Sequence, residues 1–231
     1  MKAVRMYGYG EIDQLRYEDV PDPKPGPDEV LIKVRATSVN PIDWKIRRGD
    51  LKDVMPLRFP VILGRDVAGE VVETGTNVTT LKPGQRVMGL VNQSYAELLT
   101  AASDVFTLIP AGLDDKQAAA LPLVTTTTGA ELIDRISPGP GDTILVTGAF
   151  GNVGRTAVYA AKQRGARVIA GVLSVQKDDS RSLGADQIVA TDSDDEIASL
   201  PTLNAIADTV GGRLIGKLIP KLAPGEPSAR F

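Results

Sequence analysis

The chain has 231 residues, with 26 Lys+Arg against 29 Asp+Glu and a formal net charge of −3. So mild a balance argues against an electrostatic nucleic-acid binder, and 42% hydrophobic with 24% charged residues is the mix of an ordinary soluble globular protein. His and Cys are both absent, which excludes Ser–His–Asp and Cys–His catalysis, disulfides and thiol redox chemistry, and the Cys/His sites that zinc prefers.

Glu11 and Asp13 arrive before any signal-peptide core could form. No apolar run approaches the roughly 20 residues that cross a bilayer, and the cytoplasm is the expected compartment. The first half reads as β, with strands expected over residues 3–6, 15–20, 30–36, 67–73, 86–91, 95–100 and 105–108. Val30, Ile32 and Val34 alternate with Leu31, Lys33 and Arg35, the period of a strand with two different faces. Pro21-Asp22-Pro23, Pro25-Gly26-Pro27 and Lys82-Pro83-Gly84 supply turns. Many short strands with Gly/Pro turns indicate a barrel or sandwich. A short helix is expected after Pro41.

The second half alternates β and α. Asp114 can cap a helix running into residues 118–121. Helices are expected over 127–136, 152–164, 176–183 and 213–222, and strands over 143–147, 167–172, 187–190 and 204–210. That alternation predicts a parallel sheet with right-handed crossovers.

The sharpest local signal is Gly148-Ala149-Phe150-Gly151-Asn152-Val153-Gly154, between an apolar strand and a helix. This is the setting a dinucleotide fingerprint requires. Ala149, Gly151 and Gly154 take the three glycine positions, the first with a small replacement; Gly151 lets backbone approach a pyrophosphate and Gly154 lets helix and strand pack closely. A tight strand-to-helix turn also uses glycine for steric reasons alone. The next strand ends Val172-Leu173-Ser174-Val175-Gln176-Lys177, with no acid before Asp178. An NAD site usually places Asp or Glu there. Ser174 and Lys177 could instead hold a 2′-phosphate, so NADPH is the expected cofactor; alternatively Ser174 caps the next helix and Lys177 is solvated.

Together the halves resemble the zinc-independent, zeta-crystallin-like quinone oxidoreductases of the medium-chain dehydrogenase/reductase superfamily. The resemblance rests on Ser38-Val39-Asn40-Pro41-Ile42-Asp43-Trp44-Lys45, Leu63-Gly64-Arg65-Asp66-Val67-Ala68-Gly69-Glu70, Pro83-Gly84-Gln85-Arg86-Val87, Ser94-Tyr95-Ala96-Glu97, Ala119-Ala120-Leu121-Pro122, residues 148–154 and Leu183-Gly184-Ala185-Asp186. It implies an α/β fold with a β-rich domain: a GroES-like catalytic domain over residues 1–122 and an NADP(H)-binding Rossmann domain over 123–231. It also implies NADPH-dependent hydride transfer to a small quinone or α,β-unsaturated carbonyl, with no nucleic-acid or membrane partner and with homo-oligomerisation left open. Zinc-dependent relatives carry Cys where this chain has Asn40 and His where it has Arg65, so no metal is expected.

The resemblance further assigns Asn40 and Asp43 to the cleft near nicotinamide and substrate, with Lys45 on the same helix, and Thr127 to the cofactor. Each has a plainer alternative: Asn40 as a helix cap, Asp43 as an ion-pair partner of Lys45 or Arg47, Thr127 as packing. Asp66 and Glu70 are expected to be structural, and Trp44 and Tyr95 to pack. After Gly225 the family pattern calls for an apolar strand, but the chain reads Glu226-Pro227-Ser228-Ala229-Arg230-Phe231. The expectation is a truncated Rossmann sheet of four strands in the order 3-2-1-4, with strand 204–210 as its bare edge. Two rivals to the reductase follow: a non-catalytic NADP(H)-binding remnant that fails to hold the nicotinamide for want of the missing strands, and an interaction module that uses the exposed edge to recruit a partner strand.

Overall fold

The structure, a computed structural model, describes residues 1–225 and 228–230; the side chains of residues 127, 128, 130 and 228–230 lie outside the described residues. It divides into two units, Met1–Leu123 and Val124–Phe231.

Unit 1 is built on two sheets. The smaller has the order β2-β1-β4, from β1 (Lys2–Met6), β2 (Leu15–Asp19) and β4 (Val61–Ile62). The larger has the order β7-β3-β5-β6-β8, from β3 (Glu29–Ala36), β5 (Asp66–Thr74), β6 (Arg86–Leu90), β7 (Leu98–Ala102) and β8 (Phe106–Leu108), all antiparallel. Val30, Ile32, Val67, Val71 and Val87 turn inward to one core, as period-two alternation requires. The strand expected over 95–100 is displaced to Leu98–Ala102. Residues 95–97 instead reach the first sheet: Val4 N–H donates to Tyr95 O, and Ala3 bridges Ala96. Helix α1 (Pro41–Arg48) starts on a proline and stops at Gly49, whose φ of 89° is the left-handed C-terminal geometry. Helix α2 (Asp115–Ala119) is capped by Asp114, whose carboxylate accepts from Gln117 N–H at 2.7 Å.

Unit 2 is a parallel sheet between two layers of helix. Its strands are β9 (Thr143–Thr147), β10 (Arg167–Val172), β11 (Gln187–Ala190), β12 (Ala205–Asp208) and β13 (Ser228–Arg230), in the order β11-β10-β9-β12-β13. Ile144, Val146, Val168 and Ala170 face α3 (Glu131–Ile136) and α4 (Asn152–Gln163). Leu145, Ile169 and Ile206 face α5 (Asp194–Ala198) and α6 (Arg213–Leu218). Strands apolar on both faces are what a doubly covered parallel sheet needs. The first four strands keep the expected order 3-2-1-4. The bare edge does not exist, because Ser228–Arg230 pairs in parallel with β12 in the register Ile206↔Ser228 to Asp208↔Arg230. A strand ladder needs aligned backbone groups, not an apolar side-chain run, so the polar tail serves. The interaction module built on an open β12 edge loses that edge, and β13 becomes the outermost strand.

Other elements also shift. The helix expected over 127–136 begins earlier, as a π-helical stretch, Leu123–Ala130, running into α3. The one expected over 176–183 is two short 3₁₀ segments, Ser174–Gln176 and Asp179–Leu183. There Ser180 Oγ takes the Gln176 carbonyl at 2.7 Å, the acceptor that a helical N–H would need. Among the described residues no helix is long and apolar enough to cross a membrane.

Leu145 is fully buried on the central strand, whereas Val175 is exposed. Leu145→Ala should therefore cost about 2–5 kcal/mol in denaturant unfolding, and Val175→Ala less than about 0.5 kcal/mol.

Candidate functional site

The turn after β9 explains itself residue by residue. Gly148 has φ 59°, and a Cβ there would lie 2.5 Å from Thr209 Oγ1. Ala149 is fully buried, so it packs beneath the turn rather than lining it; its N–H donates to Gly171 O at 3.0 Å. Gly154 cannot carry a side chain, since a Cβ would stand 2.2 Å from Gly148 O. Gly151 differs: its φ is −74°, and a Cβ would meet only Gly148 O at 3.2 Å. The backbone conformation does not demand glycine there; a Cβ would press on the Gly148 carbonyl, and beyond that one atom the face is open.

The first helical carbonyl bond is accepted by Gly151 O from Arg155 N–H at 2.9 Å. The N–H groups of Asn152, Val153 and Gly154 therefore open α4 without intrahelical acceptors, at the positive end of its dipole. Phe150 is covered by the Arg155 guanidinium, 4.3 Å from its ring centre, and its carbonyl accepts from Arg155 Nε at 2.9 Å. Free amides, a helix dipole and an empty Gly151 face suit a pyrophosphate. The residues present fit a dinucleotide.

Asp208, not singled out from the sequence, fixes this turn from the neighbouring strand. It is fully buried, and its Oδ1 accepts from Thr147 Oγ1 at 2.6 Å, Gly211 N–H at 3.0 Å and Val210 N–H at 3.1 Å. Thr209 Oγ1 donates to Thr147 O at 2.7 Å and closes the contact with Gly148. A carboxylate at the end of a strand followed by Gly211-Gly212 was the available signal.

At the end of β10, Ser174 and Lys177 both lie on the surface and both are already engaged. Ser174 donates from N–H (2.9 Å) and Oγ (2.8 Å) to Asp192, and the serine bonds hold the Asp192 carboxyl below its ordinary value. Lys177 Nζ meets both Glu196 oxygens at 2.8 and 2.9 Å. The Ala190 N–H bond and then Lys177 hold Glu196 below the usual carboxylate range. Thr127 lies in the stretch Leu123–Ala130; its side chain is outside the described residues.

In unit 1 the structure brings Asn40 and Asp43 together. Asp43 is 4% exposed; its Oδ2 accepts from Asn40 N–H at 2.7 Å and from Tyr95 OH at 2.8 Å. It makes no ion pair with Lys45 or Arg47. Arg47 turns to Gly10 O and Glu11. The Asn40 side chain does not cap α1 either. Its Nδ2 donates to Ser38 Oγ at 2.7 Å and to Asp66 Oδ2 at 2.8 Å. Asp66, 1% exposed, also accepts from Ser38 Oγ on Oδ2 and from Leu123 N–H at 2.7 Å on Oδ1. Lys45 is not brought to this network; it is exposed, with Nζ 5.9 Å from the Trp44 ring centre. Trp44 does not pack inside: it is 40% exposed, beneath the Arg48 guanidinium. Glu70 pairs with Arg35 at 2.8 Å on the surface.

Tyr95 does more than fill a strand. Burial, reinforced by the bond to the Asp43 carboxylate, pushes its phenol far above the ordinary value of 10, so it is a permanent donor rather than a proton source. Two cavities meet at Asp43 and Leu63, of about 600 and 390 Å³, within the range of small-molecule sites.

Tyr95→Phe removes a donor from a buried carboxylate and should cost about 1.5–3 kcal/mol. Because the folded phenol value is raised, the stability it gives is complete below pH 10 and is lost as pH rises beyond it. Thermal melts from pH 8 to 11 should show that alkaline loss in the wild type and a smaller one in the variant.

The sequence matches the alcohol dehydrogenase GroES-like domain family over residues 26–110. A chloroplastic quinone-oxidoreductase homologue from Spinacia oleracea is 36% identical over 199 residues, 82% of this chain and 60% of that protein. An acryloyl-coenzyme A reductase from Metallosphaera sedula is 30% identical over 240 aligned positions, 91% of this chain and 70% of that one. Among solved structures, a mycobacterial quinone oxidoreductase superposes with a TM-score of 0.83 at 30% identity, covering 100% of this chain and 73% of its own. This chain thus spans about 60% of the length of the Spinacia relative. With a GroES-like half, a Rossmann sheet ordered 3-2-1-4 and these relatives, the chain belongs to the quinone oxidoreductase family of the medium-chain dehydrogenase/reductases.

Proposed function

We propose that the protein is a zinc-independent, NADPH-dependent reductase that delivers hydride to a quinone or an α,β-unsaturated carbonyl. The observation that carries this reading is the empty face of Gly151 beside the free amides of Asn152, Val153 and Gly154. When bound there, the nicotinamide supplies the hydride, and the protein's part is placement in a water-poor site. The opening amides of α4 hold the pyrophosphate, and Asp208 keeps the turn from spreading. Asn40 is oriented by Ser38 and Asp66, which leaves its Oδ1 edge for a ligand. Asp43 is the rigid neighbour that locks this edge in place. The zinc-free reading is supported by chemistry at the two positions: an amide already committed to Asp66, and a cation, Arg65, where a metal ligand would stand.

The choice of NADPH rests on Lys177. Its bond to Glu196 is an exposed ion pair, a class that contributes up to about 1 kcal/mol. A 2′-phosphate carries more negative charge than the Glu196 carboxylate and competes for the same ammonium, while the displaced Glu196 repels it. Asp192 opposes it by like charge.

Gly151→Asp should abolish NADPH binding in a chain that still melts cooperatively, because a carboxylate would meet the pyrophosphate. NADPH oxidation with a panel of quinones and enones tests the reaction itself; binding without turnover of any acceptor would leave a nucleotide-binding protein only. Lys177→Ala should weaken NADPH at least 10-fold and leave NADH unchanged, whereas Asp192→Asn should tighten NADPH. Equal losses for both cofactors in Lys177→Ala would contradict the 2′-phosphate assignment.

A further inference from the structure

Arg65 follows Gly64 into β5 and lines the 390 Å³ cavity of unit 1, together with Asp43, Asn92, Gln93 and an apolar wall that includes Met55 and Leu57. Its position is rigid. A Cβ on Gly64 would stand 2.3 Å from Ser94 Oγ and 2.6 Å from the Tyr95 ring, and the preceding Leu63 carbonyl accepts from Tyr95 N–H at 3.0 Å. Arg5, Arg35, Arg47, Arg48 and Arg86 of the same unit each reach a carboxylate, and Arg16 lies over the Tyr7 ring; Arg58, like Arg65, has no ion pair among the described residues. Arg65 forms no ion pair among the described residues, and its buried Nε has no acceptor. The nearby acids do not answer it: Asp43 is committed to Asn40 and Tyr95, and Asp66 to Ser38, Asn40 and Leu123. Leaving a buried donor of a cation unmatched is costly. Gln93, on the same cavity, holds φ at 69°, a left-handed conformation that a non-glycine residue adopts at a cost. An unmatched cation, amide side chains and a strained backbone therefore converge on one half-apolar cavity.

We infer that Arg65 anchors the oxygen of the electron-accepting substrate: its guanidinium takes a carbonyl or ionised oxygen of a planar, mostly apolar ring compound seated against Met55 and Leu57. The inference rests on the reductase reading and names the chemical group that the acceptor presents. A planar fork of N–H donors suits such an oxygen better than a point charge does.

The test is titration of the full chain, without nucleotide, by 2-hydroxy-1,4-naphthoquinone, which is ionised at neutral pH. Quenching of Trp44, the only tryptophan, or calorimetry reads the binding. The wild type should bind. Arg65→Gln should weaken binding at least 10-fold, and Arg65→Lys by less. Naphthalene, the same ring without oxygens, should be indifferent to both substitutions. Should Arg65→Gln fail to melt cooperatively, Arg65→Lys and the salt dependence of wild-type binding decide, and affinity that does not fall with salt overturns the anchor. No binding by the wild type, or equal binding by a folded Arg65→Gln, overturns it too. NADPH titration of the same proteins separates the two readings. Lost nucleotide binding with Arg65-dependent naphthoquinone binding sinks the reductase and keeps the anchor; the reverse pattern sinks the anchor alone.

Discussion

The backbone of Gly154 lies against the carbonyl of Gly148 at a distance that no side chain could share. That approach sets where α4 begins relative to β9, and the rest of unit 2 follows from it. Helix α4 can then lay Ala157, Val158 and Ala161 on the sheet, its first amides point out over Gly151, and the sheet's strand order places Asp208 and Thr209 beside the turn. The same constraint that closes the helix onto the strand sets the opening amides of α4, which lack intrahelical acceptors, beside Gly151.

Unit 1 works on a different principle. Its polar centre is made of buried carboxylates that gather named donors. Asp66 ties Ser38, Asn40 and Leu123; Asp43 ties Asn40 and Tyr95. Buried charge satisfied in this way fixes orientation, since any rotation would strand an ion in a low-dielectric interior. Asn40 is held from both sides, its N–H by Asp43 and its amide by Asp66. Arg65 stands out against this background because its buried Nε has no acceptor among the described residues.

Much of the fold was legible in the residues. The alternation within β3, the apolar runs of β9 and β10 and the glycine-rich turn followed from period and steric need. What escaped was short or non-local. Two-residue β4 carries no period. Helix α5 hides in the acidic run Asp192–Glu196, although Ser193 with Glu196 three residues on is a capping signal, and Ser193 Oγ does accept from Glu196 N–H. Strand β13 is invisible because its tail is polar and its pairing is purely backbone. In the candidate site, the family resemblance singles out Asn40 and Asp43, whereas nothing links them to Asp66 and Tyr95, since bonds across 26 and 52 residues leave no mark in sequence. Ser174 and Lys177 were legible as a polar pair; that Asp192 and Glu196 would claim them was not.

The central claim is that a dinucleotide binds with its pyrophosphate on the opening amides of α4. Amide chemical shifts of ¹⁵N-labelled protein during an NADPH titration test it most directly. The account predicts the largest changes at Gly151, Asn152, Val153 and Gly154, with Gly148 and Gly211 following. Saturable binding that leaves these amides unmoved, or no saturable change at all, would contradict it.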